Sequence, residues 1–192
     1  MLHSDNNSMN SPAVPDMNDP LRSVLLSQER IRQRVSELAR EIRLQYGDTR
    51  LILISILKGS VIFLSDLVRQ LPPSTEFYFL QLSSYRDGTV PHGKPDFYTL
   101  PVPDLRGQHV LLVEDILDTG QSLEYAQRHF LEMKPASLRI CVLLAKEGYE
   151  SSPMPKPDFL GFVIPREFVV GYGLDYQERY RGLPEIGIPA DF

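Results

Sequence analysis

The chain has 192 residues, 42% of them hydrophobic and 23% charged, a composition typical of one soluble globular domain with a substantial core. Its formal net charge of −5 excludes the broad basic face that nucleic acid or an anionic membrane would need. The single cysteine excludes an internal disulfide, and the four scattered histidines lack the spacing of zinc ligands. We therefore expect a cytoplasmic protein that holds any polyanionic ligand locally.

The first twenty residues differ in composition from the rest of the chain. They are rich in Ser, Asn, Asp and Pro, and they lack the basic start and apolar centre of an export signal. We predict a disordered tail over 1–20 and a single domain over 21–192. No apolar run reaches the ~20 residues that a membrane-spanning helix needs, so we expect no membrane partner.

Apolar periodicity predicts helices and strands that alternate along this domain. One helix begins after Ser27 and ends at Gly47, because its apolar residues recur on a single face. A second follows Lys58-Gly59-Ser60 and ends at Leu71 before two prolines, and a third covers 123–133. The alternation predicts an α/β fold, with a mostly parallel sheet flanked by helices. Short runs rich in aliphatic or aromatic residues predict the strands, at 51–57, 76–82, 110–113 and 138–144.

Two long intervals carry turn-forming residues instead of a period. Residues 83–106 contain six Gly or Pro residues and are far longer than an ordinary connection, so we predict a lid over a binding site. Residues 147–158 contain three prolines and two serines, which favour a surface connection before the apolar segment 159–164.

The most informative stretch begins where the strand at 110–113 ends in carboxylates. Ligands of parallel sheets bind at the carboxyl ends of the strands, so Glu114, Asp115 and Asp118 are expected to face one crevice. The structural alternative is that Glu114 and Asp115 merely end a strand and that Asp118 caps the next helix. Three acids this close together exceed what one cap requires, which favours a binding site.

The residues after Asp118 add a phosphate site to these acids. Gly120 and the hydroxyls of Thr119 and Ser122 begin the next helix, whose free N–H groups suit a phosphate. A phosphate site beside acids fits a sugar phosphate, because carboxylates take ribose hydroxyls or a divalent cation. The stretch therefore predicts a phosphoribosyl ligand.

The turn Lys58-Gly59-Ser60 predicts a second anion site, at the end of another strand. Lys58 can meet a pyrophosphate as a point charge, and Gly59 lets the main chain approach closely. By itself the turn also fits an ordinary strand-to-helix connection with a solvated lysine. Beside the acidic stretch, the anion site is the better interpretation.

These segments resemble a known family. The run from Glu114 to Ser122, Glu-Asp-Ile-Leu-Asp-Thr-Gly-Gln-Ser, is similar to the phosphoribosyl-pyrophosphate motif of type I phosphoribosyltransferases, in the form of their hypoxanthine-guanine branch. Ser84 and Tyr85 resemble the Ser-Tyr pair of that family's lid. The resemblance covers about 31–186 and implies the family's fold, with a small hood formed by the terminal segments.

The resemblance implies roles for residues around the sugar phosphate. Asp118 would be the general base at N7 of a purine, and the Leu57–Lys58 peptide bond would be cis. Mg²⁺ would be the cofactor, held by Glu114, Asp115 and Asp175. The residues implied to bind the ribose phosphate and pyrophosphate are Lys58, Gly59, Glu114, Asp115, Asp118, Thr119, Gly120, Gln121, Ser122 and Arg181.

The last third of the chain resembles the purine pocket of the hypoxanthine-guanine branch. A flat base needs an aromatic face, which Phe168 offers, and a 6-oxopurine needs a donor at O6, which Lys146 offers and which adenine would reject. Val169, Leu174 and Asp175 are implied at the opposite edge of the base. The ordinary alternatives are core packing for Phe168 and a solvated strand end for Lys146.

The reaction that the resemblance implies is purine salvage. A 5-phosphoribosyl group would pass from 5-phosphoribosyl 1-pyrophosphate to hypoxanthine or guanine, giving IMP or GMP and pyrophosphate, in a homodimer or homotetramer. Two alternatives stay open: xanthine or another oxo-base as preferred acceptor, and a regulatory protein that binds the phosphoribosyl ligand as an effector. The acidic composition and the set Asp118, Lys146 and Phe168 favour the enzyme.

Overall fold

Two β-sheets organise the part of the chain that the structure, a computed structural model, describes: residues 20–83, 96–99, 101–151 and 153–190. A six-stranded sheet forms the centre, and a two-stranded sheet joins the ends of the described chain. The elements in chain order are β1 (Leu21–Leu26), α1 (Gln28–Tyr46), β2 (Leu51–Leu57), α2 (Val61–Val68), β3 (Glu76–Ser83), β4 (Asp96–Thr99), β5 (His109–Leu117), α3 (Gln121–Glu132), β6 (Ser137–Lys146), a short 3-10 turn (Tyr149–Ser151), β7 (Phe159–Ile164) and β8 (Ile186–Pro189).

The central sheet has the strand order β4-β3-β2-β5-β6-β7. The neighbouring strands from β3 to β7 run parallel, and β4 pairs antiparallel with β3. The predicted α/β fold with a mostly parallel sheet is therefore confirmed. The edge strand β4 lies inside the interval predicted to be irregular, because four residues are too few to show a period.

Both faces of the central sheet are buried along its middle strands, β2, β5 and β6. Successive residues of a strand point to opposite faces, so Leu51 and Leu53 of β2 pack with α1 and α2, whereas Ile52 and Ile54 pack with α3. This is why the strand is apolar at every position except Ser55. Cys141 of β6 is fully buried and free, and burial raises the pKa of its thiol, so it is a core residue as predicted.

The helix α1 has the predicted ends. The Ser27 hydroxyl accepts a hydrogen bond from the Arg30 N–H at 3.4 Å, and Gly47, with φ of 56°, follows the last turn. The Gly47 N–H donates to the Arg43 carbonyl at 2.8 Å. A polar cap and a left-handed glycine therefore fix a helix whose apolar face packs on the sheet.

Two other helices have ends that differ from the prediction. α2 ends at Val68 instead of Leu71, because the N–H groups of Gln70 and Leu71 bond three residues back in tight turns before Pro72. α3 begins two residues earlier than predicted, with Gly120 as its N-cap.

The strand β5 is longer than predicted and carries acids within it. It runs to Leu117, so Glu114 and Asp115 belong to the strand instead of following it. The cause is its ladder with β6, which continues as far as the pair Leu117 and Ala145. Tertiary pairing therefore outweighs the low strand propensity of acids at the end of the run.

The terminal segments pair in the way the resemblance implied for a hood. β1 and β8 form the antiparallel two-stranded sheet, and a bridge between Val170 and Gly187 links it to the segment after β7. The tail predicted over 1–20 lies, apart from Pro20, outside the described residues, and so do Ser84 and Tyr85. Within the described ranges, no helix combines the length and apolar character needed to cross a membrane.

Candidate active site

A pocket lies at the carboxyl edge of the central sheet, where β2, β5 and β6 end. Its volume of about 340 Å³ is in the range of small-molecule sites. The turn after β2 forms one wall, and the chain after β7 forms the other. The lining residues are Ile56, Leu57, Lys58, Gly59, Glu114, Asp115, Ile116, Asp118, Ser122, Lys146, Phe168, Val169, Leu174, Asp175 and Arg181.

The turn between β2 and α2 brings main chain close to the acids of β5. Its Leu57–Lys58 peptide bond is cis, as the resemblance implied. A Cβ atom at Gly59 would overlap the Asp115 carboxylate, so only glycine permits this approach. The turn therefore presents peptide groups, with the Lys58 side chain at the pocket mouth.

Two buried hydroxyls anchor this turn from below. Ser55 and Ser60 are fully buried, and their hydroxyl oxygens lie 2.7 Å apart. The Ser60 hydroxyl also contacts the carbonyl of Ile56. Because buried polar groups are costly unless paired, this bonding fixes the turn relative to β2.

A third segment, around Gly173, packs its main chain against the turn after β2. Gly173 has φ of 104°, and a Cβ atom there would overlap the carbonyl oxygen of Gly59. The preceding Tyr172 is buried, and its hydroxyl donates to Asp66 of α2 at 2.7 Å. The two glycines therefore let main-chain segments distant in sequence touch each other and the Asp115 carboxylate without a Cβ atom in between.

The two acids of β5 are held in an environment that disfavours their ionised forms. Burial raises the pKa of Glu114 well above its usual range, and the neighbouring Asp115 charge raises it further. Burial also raises the pKa of Asp115 to about 6, although N–H groups of Asp115 and Ile116 oppose the shift. The Arg181 charge also opposes the shift of Asp115 without cancelling it, so both carboxylates would gain from a cation supplied by a ligand.

Asp118 and Lys146 form an ion pair across the ends of β5 and β6. The Lys146 ammonium lies 2.9 Å from a carboxylate oxygen of Asp118. The Lys146 side chain is 19% exposed, whereas Asp118 is 56% exposed. The pair therefore fixes the ammonium inside the pocket and leaves the carboxylate accessible.

The start of α3 lies beside this pair. Gly120 is the N-cap, with φ of 78°, and no side chain caps the helix there, so the alternative interpretation of Asp118 as a cap is wrong. The first N–H groups of an α-helix have no partners within the helix and attract anions. Ser122, in this first turn, lines the pocket.

An aromatic and apolar wall stands opposite the ion pair. The Phe168 ring meets the Tyr176 ring edge to face, with centroids 5.8 Å apart. Val169 and Leu174 are buried beside it, and mutual hydrogen bonds between Gly171 and Leu174 at 3.0 Å close the turn that carries them. This wall offers a flat face and main-chain groups to a planar ligand.

Charged side chains cross the remaining side of the pocket. Arg181 lies 2.8 Å from Asp175 and donates to the Gly173 carbonyl at 2.7 Å. Glu178 lies 3.1 Å from the Lys58 ammonium and 3.4 Å from the Arg181 guanidinium. A single carboxylate therefore joins the cations of the two walls.

A larger cavity of about 510 Å³ lies between α1, α2 and residues 181–184. Its charged side chains are already paired with acids or bases of the chain, in the pairs Glu29 with Arg32, Asp66 with Arg69 and Asp175 with Arg181. The smaller pocket instead holds Glu114 and Asp115, whose pKa values are raised, and it is therefore the candidate active site.

Comparisons with known proteins agree with this geometry. Residues 22–177 match the family model described as phosphoribosyl transferase domain. The chain belongs to the phosphoribosyltransferase family. A protein of Mycobacterium avium named hypoxanthine-guanine phosphoribosyltransferase is 42% identical over 185 residues, covering 92% of this chain and 91% of that protein. One of the same name from Bacillus subtilis is 39% identical over 172 residues, covering 90% and 95%.

Solved phosphoribosyltransferase structures share the fold. A hypoxanthine phosphoribosyltransferase from Staphylococcus aureus has a TM-score of 0.81 at 36% identity, covering 91% of this chain and 96% of that one. That of Trypanosoma cruzi has a TM-score of 0.80 at 35% identity, covering 92% and 95%. The resemblance to the hypoxanthine-guanine branch is confirmed by these names and identities.

Most of the predicted site residues of this phosphoribosyltransferase meet in the one pocket. Thr119, Gly120 and Gln121 lie beside it at the start of α3 and are not among its lining residues. Ser84 and Tyr85 lie outside the described residues. The residues brought together are Lys58, Gly59, Glu114, Asp115, Asp118, Ser122, Lys146, Phe168, Val169, Leu174, Asp175 and Arg181.

Two features of the phosphoribosyltransferase site differ from the prediction or were missed. In the described residues, no three acidic, His or Cys side chains form a ready metal cage, and Asp175 faces Arg181. Glu178 was not predicted at the site at all. Its position three residues before Arg181 could have suggested a place at the site, but the sequence of a loop does not show where the side chains of a turn point.

Proposed function

We propose that the protein transfers the 5-phosphoribosyl group of 5-phosphoribosyl 1-pyrophosphate to N9 of hypoxanthine and guanine. The C1–O bond to pyrophosphate breaks, the C1–N9 bond forms, and the base loses a proton. The products are IMP or GMP and pyrophosphate, which is purine salvage. The relatives' names support this proposal, and the single observation that carries it is the 2.9 Å pair of Lys146 and Asp118 inside the pocket.

The Lys146 and Asp118 pair suits a 6-oxopurine placed against Phe168. An ammonium held inside the pocket donates to O6, whereas the amino group of adenine would meet a donor with a donor. The adjacent carboxylate then lies on the same side of the base as N7. Because hypoxanthine and guanine carry the same groups at O6 and N7, both bases fit this pair.

Asp118 serves as the general base at N7 in this proposal. As the C1–N9 bond forms, the purine becomes positively charged and loses a proton at N7. A carboxylate beside N7 assists this step by taking the proton, and such assistance raises the rate ~10²- to 10⁴-fold. The exposure of Asp118 supports this role, because its carboxylate is accessible while the ammonium of Lys146 keeps it in place.

Main chain and cations bind the rest of the donor substrate. The start of α3, with Thr119, Gly120, Gln121 and Ser122, receives the 5′-phosphate through its N–H groups. Lys58, Gly59 and Arg181 receive the pyrophosphate, for which a flexible cation and a glycine turn are suited. Glu114 and Asp115 receive the ribose hydroxyls, directly or through a metal.

Mg²⁺ is the cofactor in this proposal, and the acids of the pocket fit it. Mg²⁺ is ordinarily bound by one or two carboxylates together with substrate phosphates. The raised pKa values of the buried Glu114 and the partly buried Asp115 are the sign of carboxylates that a cation stabilises. Asp175 completes the acidic set. When bound, the ion neutralises charge that develops on the departing pyrophosphate.

The remaining parts of the proposal concern the whole protein. Residues 21–192 act as one phosphoribosyltransferase domain, preceded by a tail over 1–20, with Ser84 and Tyr85 in a lid that excludes water. The protein works in the cytoplasm as a homodimer or homotetramer, without nucleic acid or membrane partners. Water exclusion matters because the ribosyl centre becomes oxocarbenium-like and would otherwise be hydrolysed.

The test is a spectrophotometric assay with phosphoribosyl pyrophosphate and Mg²⁺, offering hypoxanthine, guanine, xanthine and adenine in parallel. Turnover of hypoxanthine and guanine with adenine inert is the expected result. Preferred turnover of xanthine would change the acceptor. If no base is turned over and phosphoribosyl pyrophosphate is still bound, the proposed enzymatic function is wrong. The regulatory protein is then the remaining interpretation.

A further inference from the structure

Glu178 contacts both cations that the proposed function assigns to pyrophosphate. Its carboxylate lies 3.1 Å from the Lys58 ammonium and 3.4 Å from the Arg181 guanidinium. Lys58 belongs to the turn after β2 and Arg181 to the chain after β7, so the carboxylate spans the pocket from one wall to the other. An acid in this position occupies the contacts that a phosphate would make.

The backbone around Glu178 directs this side chain toward the cations. Tyr176 and Arg179 exchange N–H to carbonyl hydrogen bonds of 3.1 and 3.0 Å, which close a tight two-residue turn. Both central residues, Gln177 and Glu178, have positive φ, 51° and 62°, a combination for which Asn and Gly are ordinarily used. The Glu178 N–H donates to Asp175 at 2.9 Å, which ties the turn to the pocket floor.

The charges around the mouth balance before any substrate is present. Lys58 and Arg181 supply two positive charges, and Asp175 and Glu178 supply two negative ones. When pyrophosphate binds, Asp175 gains a partner in the proposed Mg²⁺ site. Glu178 gains none and has to give up both cations. The pair of Lys58 and Glu178 is exposed, at 57% and 65%, so the incoming ligand can open it.

We propose that Glu178 sets the affinity for pyrophosphate, because it competes with the phosphate oxygens for Lys58 and Arg181. It acts through these two cations and is an affinity-determining positioning residue. The inference rests on the proposed function, in which the two cations receive the pyrophosphate of the donor substrate and of the product. Its physical effect is weaker substrate binding and faster release of pyrophosphate.

The test compares Glu178→Gln with the wild type and with Glu76→Gln. Glu76→Gln makes the same chemical change at the opposite edge of the sheet, where Glu76 pairs with Arg50. The affinity for magnesium pyrophosphate is measured by calorimetry, without purine, and the KM values for phosphoribosyl pyrophosphate and hypoxanthine are measured separately. We expect Glu178→Gln to bind pyrophosphate and phosphoribosyl pyrophosphate roughly three- to tenfold more tightly, with KM for hypoxanthine unchanged.

Salt dependence provides an independent readout. At about 1 M ionic strength exposed charges are screened within a few ångströms, so the gain of Glu178→Gln over the wild type is expected to shrink. A gain in affinity is not the result of local damage, which would weaken binding. Unchanged or weaker pyrophosphate binding in Glu178→Gln, relative to Glu76→Gln, would overturn the inference.

The same samples separate this inference from the proposed function. If the wild type turns over hypoxanthine and the two variants bind pyrophosphate equally, the inference alone fails. If the wild type neither turns over any base nor binds magnesium pyrophosphate, the proposed function fails and the inference falls with it.

Discussion

The two edges of the central sheet both carry charged side chains, and they use them differently. At the amino edge, Glu76 lies 2.6 Å from the Arg50 guanidinium and accepts the Tyr78 hydroxyl at 3.0 Å. The hydrogen bond from Arg50 lowers the pKa of Glu76. At the carboxyl edge, burial raises the pKa of Glu114 and Asp115 instead.

The difference shows how stabilising charge is told apart from functional charge. At the amino edge, Glu76 is paired with a cation and a donor of the chain, so its charge is satisfied in the free protein. The carboxyl edge holds the buried Glu114 and the partly buried Asp115 with raised pKa values, and it brings glycine main chain against the Asp115 carboxylate. These acids are stabilised only when a ligand binds, so they lower the stability of the free protein.

The largest effect is expected for Asp118→Asn, which removes the proposed base while keeping its size. We expect kcat to fall ~10²- to 10⁴-fold, with smaller changes in KM, because an amide cannot take the proton. The control is Asp48→Asn in the exposed turn after α1, which removes the same charge far from the pocket. Steady-state kinetics of both variants check the prediction. A wild-type kcat in Asp118→Asn would exclude this residue as the base.

A smaller effect, a gain in stability over the wild type, is expected for Asp115→Asn in metal-free buffer. The pKa of Asp115 is about 6 in the folded protein against an ordinary value of 3.8, so the folded state binds its proton more tightly. The stability linked to this proton is complete below pH 4 and is lost as pH rises through 6.

At pH 8 this loss amounts to about 3 kcal/mol in the wild type, and the variant, which has no charge there, does not suffer it. Denaturant unfolding with a chelator at pH 5, 6, 7 and 8 measures the difference. The advantage of Asp115→Asn is expected to grow with pH and then level off. Parallel curves for the two proteins would show that this carboxylate is not strained by burial.

The smallest effect is expected at the amino edge. Glu76→Gln breaks the pair with Arg50, which is 48% exposed, so the melting temperature is expected to change by no more than a few degrees. Because the pKa of Glu76 is lowered by its partner, this contribution is present at neutral pH and disappears as pH falls. Thermal melts at pH 7 and pH 4 measure it. Loss of transferase activity in this variant would contradict the view that charge at the amino edge serves stability and not function.

The sequence carries much of the fold because its signals are local. The apolar face of α1, the Ser27 cap and the Gly47 stop each act within a few residues, and the structure has them as predicted. The apolar runs 51–57 and 138–144 likewise predicted strands, which the structure has as β2 and β6. The acidic motif predicted the pocket's place, since parallel strands expose their carboxyl ends together.

What the sequence did not show depends on contacts between distant segments. The extension of β5 through Glu114 and Asp115 comes from pairing with β6, and the edge strand β4 comes from pairing with β3. Glu178 reaches Lys58 only because a tight turn and the hood bring the two walls together. Residue types in a loop do not encode such distances.

The contact of Gly173 with Gly59 joins a late segment of the chain to an early one, which matters for the assembly of the site during synthesis. A nascent chain that ends before Phe168 already contains the glycine turn, the acids of β5 and the start of α3, but it has no aromatic wall for a base. Arg181, at the opposite side of the pocket, follows later still, so the site is complete only once the segment 168–181 has been synthesised. Catalytic activity then reports that the final segment has docked on the sheet, and it is a stringent measure of complete folding.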